Sequence, residues 1–141
     1  MIRYKLYQNK MESSSAYNQW YARAVCDETY DTEMLAKHMS THNTPYSPGV
    51  IHGVLKDMIA CIKELLLDGK NVKLDDLAIF SVGIKSKGAA SVADFNVAEN
   101  VKSLKLRARA TGNLSTSTLK QDAVVKQLTK YSVSEGETVQ E

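Results

Sequence analysis

The chain has 141 residues, of which 43% are apolar and 24% charged, and its formal net charge is +2. This length and apolar content allow one domain with a hydrophobic core and leave little room for two. The sequence contains no run of 18 apolar residues and no basic segment followed by a short apolar one. We therefore expect neither a membrane span nor a signal peptide, and a cytoplasmic location.

Charge is distributed unevenly along the chain. Residues 1–69 hold 7 basic and 8 acidic side chains, residues 70–130 hold 11 and 5, and residues 131–141 hold none and 3. The net charge of +6 in the second segment predicts that the basic surface is built there. The polar and acidic segment 131–141 is predicted to be a disordered tail.

The two cysteines, Cys26 and Cys61, do not have the Cys-x-x-Cys spacing of a metal site or a redox pair. Both lie in apolar or strand-like stretches of the sequence. We expect buried, reduced thiols rather than a disulfide.

The first part of the chain predicts strands and then a short helix. The first thirty residues alternate between apolar and polar in two stretches around a Ser-rich turn at 13–15, which predicts two short, paired strands. Asp31 and Thr32 then provide a helix cap. The helix that follows is predicted to end near Asn43.

The strongest helical signal begins at Ser47, which can cap a helix, and continues with Pro48 at the first helical position. Apolar residues recur at helical spacing as far as Leu66, and Gly69 is a suitable terminator. The apolar positions cover a wide arc of this helix. A thin monomer could not bury all of them, so the pattern predicts a dimer interface.

After the long helix the apolar period changes to that of a strand. Residues 71–74, 77–84 and 101–110 predict three strands. The third strand sets Leu104, Leu106, Ala108 and Ala110 on one face against Lys105, Arg107 and Arg109 on the other. We expect the first face to pack and the second to be cationic, although the solvated outer face of any sheet gives the same alternation.

Two segments flank the third strand. Residues 85–100 are rich in Gly, Ala and Ser and have too little apolar content to fold on themselves, so they are predicted to project as a mobile hairpin or arm. Asn113 or Ser115 can cap a last helix. That helix is predicted to continue through Leu119 to about Lys130.

The order of these elements and their residues resemble the HU/IHF histone-like proteins. The resemblance is carried by residues 35–39, by the long helix at 47–66, by the strand region 68–74 and by the turn at 76–80. It covers roughly residues 32–120.

The N-terminal region is similar to that of an HU-related subgroup with an added strand region before the first helix. Residues 4–6 and 20–25 carry this similarity, and residues 85–89 and 101–109 resemble the start of the arm and the return strand of that subgroup. The resemblance implies an α+β, IHF-like DNA-binding fold. Such a fold has a helical dimer core, an antiparallel β-sheet and a protruding β-arm, here with extra N-terminal strands.

The resemblance also implies a domain organisation and a function. It implies a single domain over residues 1–130, with the added strands at 1–30 and a flexible arm at 85–100. It implies a homodimer that binds double-stranded DNA with low sequence specificity and organises nucleoid DNA, without a cofactor, a metal, a membrane or a small-molecule substrate. The DNA-binding residues that it implies are Lys85, Lys87, Lys102, Lys105, Arg107 and Arg109.

The chain departs from the family pattern in its prolines. Family members that kink DNA resemble one another in an Arg-Asn-Pro arm tip, whose proline wedges between base steps. Here Pro45 and Pro48 are both ahead of the long helix, and Phe95 is the large apolar residue left in the arm. Leu77 and Ala78 also replace the usual glycines of the turn. These departures favour an alternative, a protein-interaction or scaffolding dimer with an HU-like fold that has lost DNA bending.

Titratable residues give little indication of catalysis. His38 and His42 have the i, i+4 spacing of a zinc pair, but no third ligand is evident, so a metal-dependent enzyme is the remotest alternative. His52 is interpreted as a core or dimer-edge residue. Asp75 and Asp76 are interpreted as turn residues, because adjacent residues at a turn point apart. No catalytic triad or phosphate-binding glycine loop is present in the sequence.

Four aromatic residues lie in the predicted N-terminal strands: Tyr4, Tyr7, Trp20 and Tyr21. Such a set could form a stacking platform for single-stranded nucleic acid. Aromatic residues are also common as half-buried side chains of ordinary strands. We expect the second, structural role here.

Overall fold

The computed structural model of the protein describes residues 1–128. The elements follow in the order β1 (Ile2–Gln8), β2 (Trp20–Val25), α1 (Thr32–Ser40), α2 (Pro48–Leu67), β3 (Val72–Leu74), β4 (Ala78–Ser86), α3 (Val97–Asn100), β5 (Val101–Ala110), a 3₁₀ turn (Gly112–Leu114), α4 (Thr116–Asp122) and β6 (Val125–Gln127). This is a mixed α+β architecture with two three-stranded sheets.

The chain divides into two compact units. Of the described residues, unit 1 comprises Met1–Thr29 and 120–128, and unit 2 comprises Tyr30–Leu119. The single domain over residues 1–130 stays a prediction. The tail predicted at 131–141 lies outside the described residues.

Unit 1 contains a sheet with the strand order β2-β1-β6. β1 and β2 pair antiparallel, with Leu6 opposite Ala22, which confirms the two paired N-terminal strands. β6 pairs with β1 in parallel, with Arg3 opposite Lys126. Unit 1 is therefore assembled from the two ends of the described chain.

The strand β6 corrects the prediction of a long last helix to Lys130. Helix α4 ends at Asp122, and Val125–Gln127 form a strand instead. Two consecutive valines favour the extended backbone, and the edge of β1 supplies hydrogen-bond partners. For example, Leu128 N–H donates to the Tyr4 carbonyl at 2.9 Å. Residues 129–130 lie outside the described residues.

The two helices predicted at the start of unit 2 are confirmed, together with their caps. The Asp31 carboxylate accepts a hydrogen bond from Met34 N–H at 2.8 Å, and the Ser47 hydroxyl accepts one from Val50 N–H at 3.4 Å. Each cap satisfies a backbone donor that has no partner within its helix. Gly69 follows α2 with a φ of +74°, a left-handed conformation that glycine adopts without strain.

The second sheet has the order β3-β4-β5, and both pairings are antiparallel. Helix α2 packs against β3 and β4, and α1 packs against α2. Among the described residues, the buried apolar side chains are Ala36, Ile51, Leu66 and Ala78. The core of unit 2 is therefore small for a unit with a 20-residue apolar helix.

The segment predicted as an arm is partly folded at its base. The pairing of β4 with β5 ends at Ser86, after a register shift between Lys85 and Ser86. The side chain of Asn100, which is only 7% exposed, accepts from Asn96 N–H at 2.8 Å and donates to the Lys87 carbonyl at 3.1 Å. Polar hydrogen bonds therefore hold the base of this segment, and the flexible arm over residues 85–100 stays a prediction.

The prediction of buried thiols is wrong. Cys26 and Cys61 are both free and exposed. Cys26 follows β2, and its thiol lies 3.4 Å from the Glu28 carbonyl. Cys61 lies on α2, and the other described elements of the chain cover only part of that helix.

Candidate nucleic-acid interface

The pairing of β3, β4 and β5 sorts their side chains onto two faces. Val82 is opposite Leu106, and Gly83 is opposite Lys105, so the regularly paired basic residues share one face and the apolar residues other than Ile79 share the other. We call one the cationic face; its basic residues are Lys73, Lys85, Lys105, Arg107 and Arg109. We call the other the apolar face; its residues are Val72, Leu74, Ala78, Phe80, Val82, Ile84, Leu104, Leu106, Ala108 and Ala110.

The cationic face lacks nearby negative charge. None of its three strands contains Asp or Glu. Within residues 1–128, the ion pair formed by this face is that between Lys73 and the exposed Asp75, at 2.9 Å. Several unneutralised cations on one side of a sheet produce a positive potential that attracts a polyanion.

Gly83 positions one of these cations. A Cβ atom at residue 83 would collide with the Arg107 side chain, including its Cζ at 2.8 Å. The absence of a side chain at Gly83 therefore lets the guanidinium of Arg107 lie directly over β4.

The structure brings together four of the six basic residues predicted to bind DNA. Lys85, Lys105, Arg107 and Arg109 share the cationic face. Lys102 has no opposite residue in β4, because the register shifts there: Ser103 is opposite Lys85 and Val101 is opposite Ser86. Lys87 lies after the end of β4, where its N–H donates to the Asn100 carbonyl at 2.7 Å.

Lys73 is a member of the cationic face that the sequence interpretation did not include. It is opposite Ile79, which is itself opposite Arg109. The sequence contains a signal for it, because Lys73 is the single polar residue in the short strand β3 and must point away from its two apolar neighbours.

A groove of about 690 Å³ lies between α2 and the apolar face. Leu104 and Leu106 border it and are 60% and 66% exposed. The prediction that this side of β5 packs is therefore not met within one chain. The reason is that α2 packs against β3 and β4, which leaves the far side of the groove open.

The other candidate residues have structural environments. Asp76 adopts a φ of +61°, and its carboxylate accepts from Asn113 N–H at 3.3 Å, which confirms it as a turn residue. The Nε2 atoms of His38 and His42 lie 3.1 Å apart. Within residues 1–128, no three His, Cys, Asp or Glu side chains come together as metal ligands would. None of the described helices is both long enough and apolar enough to cross a membrane.

Comparison with known families agrees with this arrangement of elements. Residues 1–126 match the HU-HIG family model, described as an HU domain fused to a wHTH, Ig or glycine-rich motif. The chain belongs to the HU-HIG family. The match starts at residue 1, so it includes the N-terminal strands as well as the HU-like elements. The predicted HU-related resemblance is confirmed at this level.

One solved structure supports the fold. It is a crystal structure at 2.25 Å of a protein from Bacteroides vulgatus ATCC 8482, described provisionally as a bacterial DNA-binding protein. The two are 16% identical with a TM-score of 0.67, over 90% of this chain and 48% of the other. This chain spans about half the length of that protein, and the similarity shows a shared fold. No curated protein matches the sequence.

Proposed function

We propose that this HU-HIG protein is a non-enzymatic, histone-like protein. It binds double-stranded DNA by contacting the sugar–phosphate backbone and the minor groove of the DNA. The observation that carries the proposal is the cationic face, a sheet surface with five basic residues and no carboxylate in its strands. Family membership supports the same function. The protein would act in the cytoplasm, associated with nucleoid DNA.

The spacing of the basic residues suits a phosphate backbone. Lys105, Arg107 and Arg109 alternate along β5, which separates them by about 6.8 Å each. Phosphates recur with an axial rise of about 3.4 Å on each DNA strand, so cations spaced in this way can each contact a different phosphate. Contacts to phosphates carry no sequence information, and the minor-groove edges of the base pairs distinguish them poorly. Both properties favour low sequence specificity.

The six basic residues are not equally suited to this role. We assign phosphate contacts first to Lys85, Lys105, Arg107 and Arg109, which share the cationic face. Lys87 lies at the base of the arm, and we assign it to contacts with the DNA minor groove, which the arm would approach. Lys102 is the least suited of the six, because it lies at the register shift and outside the regular pairing that forms the cationic face.

We further propose that the protein is a homodimer joined at the groove beside α2. The groove is lined almost entirely by apolar side chains, and a monomer would leave it in water. The small core of unit 2 supports the same proposal, since most apolar residues of α2 are exposed in the described chain. A two-fold dimer would present two cationic faces to one duplex.

The test is the salt dependence of binding to a random-sequence duplex of about 30 base pairs. Submicromolar binding with a linear loss of log affinity against log salt is expected from phosphate contacts. Replacing Lys105, Arg107 and Arg109 together with Ala should reduce the slope by about 2.7 per protomer, at about 0.9 for each lost contact. An unchanged slope in a folded dimeric variant would place the contact surface elsewhere.

The alternative function is a scaffolding dimer that binds protein partners. The observations that favour it are the lack of a proline in residues 85–100 and the low net charge of +2. A dimer that fails to bind the duplex even at low salt would support this alternative and contradict the first.

A further inference from the structure

The sheet of unit 1 also separates basic from apolar side chains. Its pairings place Lys5 opposite Arg23, Tyr7 opposite Tyr21, and Arg3 opposite Lys126. We call this side the aromatic–basic face; its residues are Arg3, Lys5, Tyr7, Tyr21, Arg23, Val25 and Lys126. Every basic residue of β1, β2 and β6 lies on it, and these strands contain no Asp or Glu.

The aromatic side chains of this face form an exposed ladder. The rings of Tyr7 and Tyr21 have centroids 5.9 Å apart with a tilt of 34°, and both residues are 37% exposed. The Arg23 guanidinium lies 4.6 Å from the centre of the Tyr7 ring. Three planar groups therefore follow one another along the surface. By contrast, Tyr4 and Trp20 lie on the opposite face, so the four aromatic residues do not form a common platform.

Part of the positive charge on this face remains unneutralised. Arg3 pairs with Asp27, to which its Nε donates at 3.1 Å. Arg23 and Lys126 form no ion pair with any carboxylate in residues 1–128. A tyrosine pair that only stabilised the β1–β2 hairpin would not require basic residues around it. A polyanion whose bases are free to stack would use both features.

We propose that the aromatic–basic face binds single-stranded nucleic acid. An unpaired base stacks on Tyr21, beside the Tyr7 ring that the Arg23 guanidinium covers. The adjoining phosphate contacts Arg23, and a phosphate farther along the strand contacts Lys126. Duplex DNA does not satisfy this face, because its bases are stacked on one another. The inference goes beyond duplex binding by the cationic face, since it concerns the other unit of the chain and another form of nucleic acid.

The test uses the full chain and fluorescently labelled 20-mers of dT and of U, with the duplex of about 30 base pairs as a third probe. Tyr21→Leu should weaken dT binding by about 5- to 140-fold, the range for the loss of one stacked base, and leave duplex binding within about twofold. Tyr7→Phe, which keeps the ring, should retain dT binding. Tyr46→Leu is the matched control, because Tyr46 is 61% exposed and lies outside this sheet.

Charge variants give a second readout that does not depend on the aromatic pair. Arg23→Gln and Lys126→Gln should each reduce the salt slope of dT binding by about 0.7. The Lys105, Arg107 and Arg109 triple variant should keep its dT affinity, which separates this proposal from duplex binding. Binding of either 20-mer that responds to these variants supports the proposal. The 20-mer with the higher affinity identifies the preferred type of strand. Failure to bind either, or binding unchanged in both Tyr21→Leu and Arg23→Gln, would overturn it.

Discussion

Replacing Leu106 by Gln should weaken the proposed dimer while leaving the single chain folded. Leu106 lies on the apolar face in β5 and borders the groove beside α2. It is 66% exposed in one chain, so it contributes little to the core of unit 2. Gln is close to Leu in size but places a polar group in the interface, where burial without a partner is costly.

The magnitude follows from the exposure of Leu106. Complete burial of a leucine side chain stabilises a protein by about 1.5–3 kcal/mol. Because 66% of Leu106 is still exposed in one chain, association can add about two thirds of that, or ~1–2 kcal/mol per protomer. A two-fold dimer buries both copies, so the variant should lose ~2–4 kcal/mol. This loss corresponds to a dimer Kd about 30- to 700-fold higher.

Sedimentation velocity over a dilution series measures this Kd directly. Met11→Gln is the matched control, because Met11 is 64% exposed, is similarly apolar and does not line the groove. The control should dimerise as the wild type does. A wild-type protein that stays monomeric at high concentration, or a Leu106 variant with the Kd of the Met11 variant, would refute the reasoning.

Two further predictions use neighbouring or like residues as controls. Lys105→Gln should lower the salt slope of duplex binding by about 0.9 per protomer, whereas Lys102→Gln, at the register shift of β5, should change it little; equal effects would contradict the assignment of the cationic face. Asn100→Ala should reduce the free energy of unfolding by ~1–3 kcal/mol in urea titration, because the Lys87 carbonyl and Asn96 N–H lose their partner. Asn71→Ala is the control, because Asn71 is exposed, and it should reduce the free energy of unfolding much less. An equal reduction in the two variants would show that the buried hydrogen bonds of Asn100 contribute nothing to stability.

Elements specified by local chemistry could be predicted from the sequence. Asp31 and Ser47 cap the two helices of unit 2 with hydrogen bonds to residues three positions ahead, and such caps are readable from a short window. The alternation in β5 likewise gave its bounds and its two faces. The same parity, applied to Lys73, would have added it to the cationic face, whereas the register shift that takes Lys102 out of the regular pairing is not visible in the sequence pattern.

Features that depend on distant residues could not be predicted in this way. The backbone partner of Val125 is Ile2, at the other end of the described chain, so the valines near residue 125 looked like helix positions rather than a strand. The exposure of Leu106 depends on how far α2 reaches across the sheet, which periodicity does not report. The hydrogen bonds of Asn100 also lay outside the argument from apolar content that predicted a mobile arm.

The parallel pairing of β1 with β6 sets an order for folding during synthesis. The ribosome adds Val125 123 residues after its partner Ile2, and at about 5–20 residues per second this takes ~6–25 s. Tyr30–Leu119 are made within that interval, so unit 2 has all of its residues first. The β1–β2 hairpin has only two strands until then, and an isolated hairpin is marginally stable in water. A chain released before Val125 would therefore carry a complete unit 2 beside an unfinished N-terminal sheet.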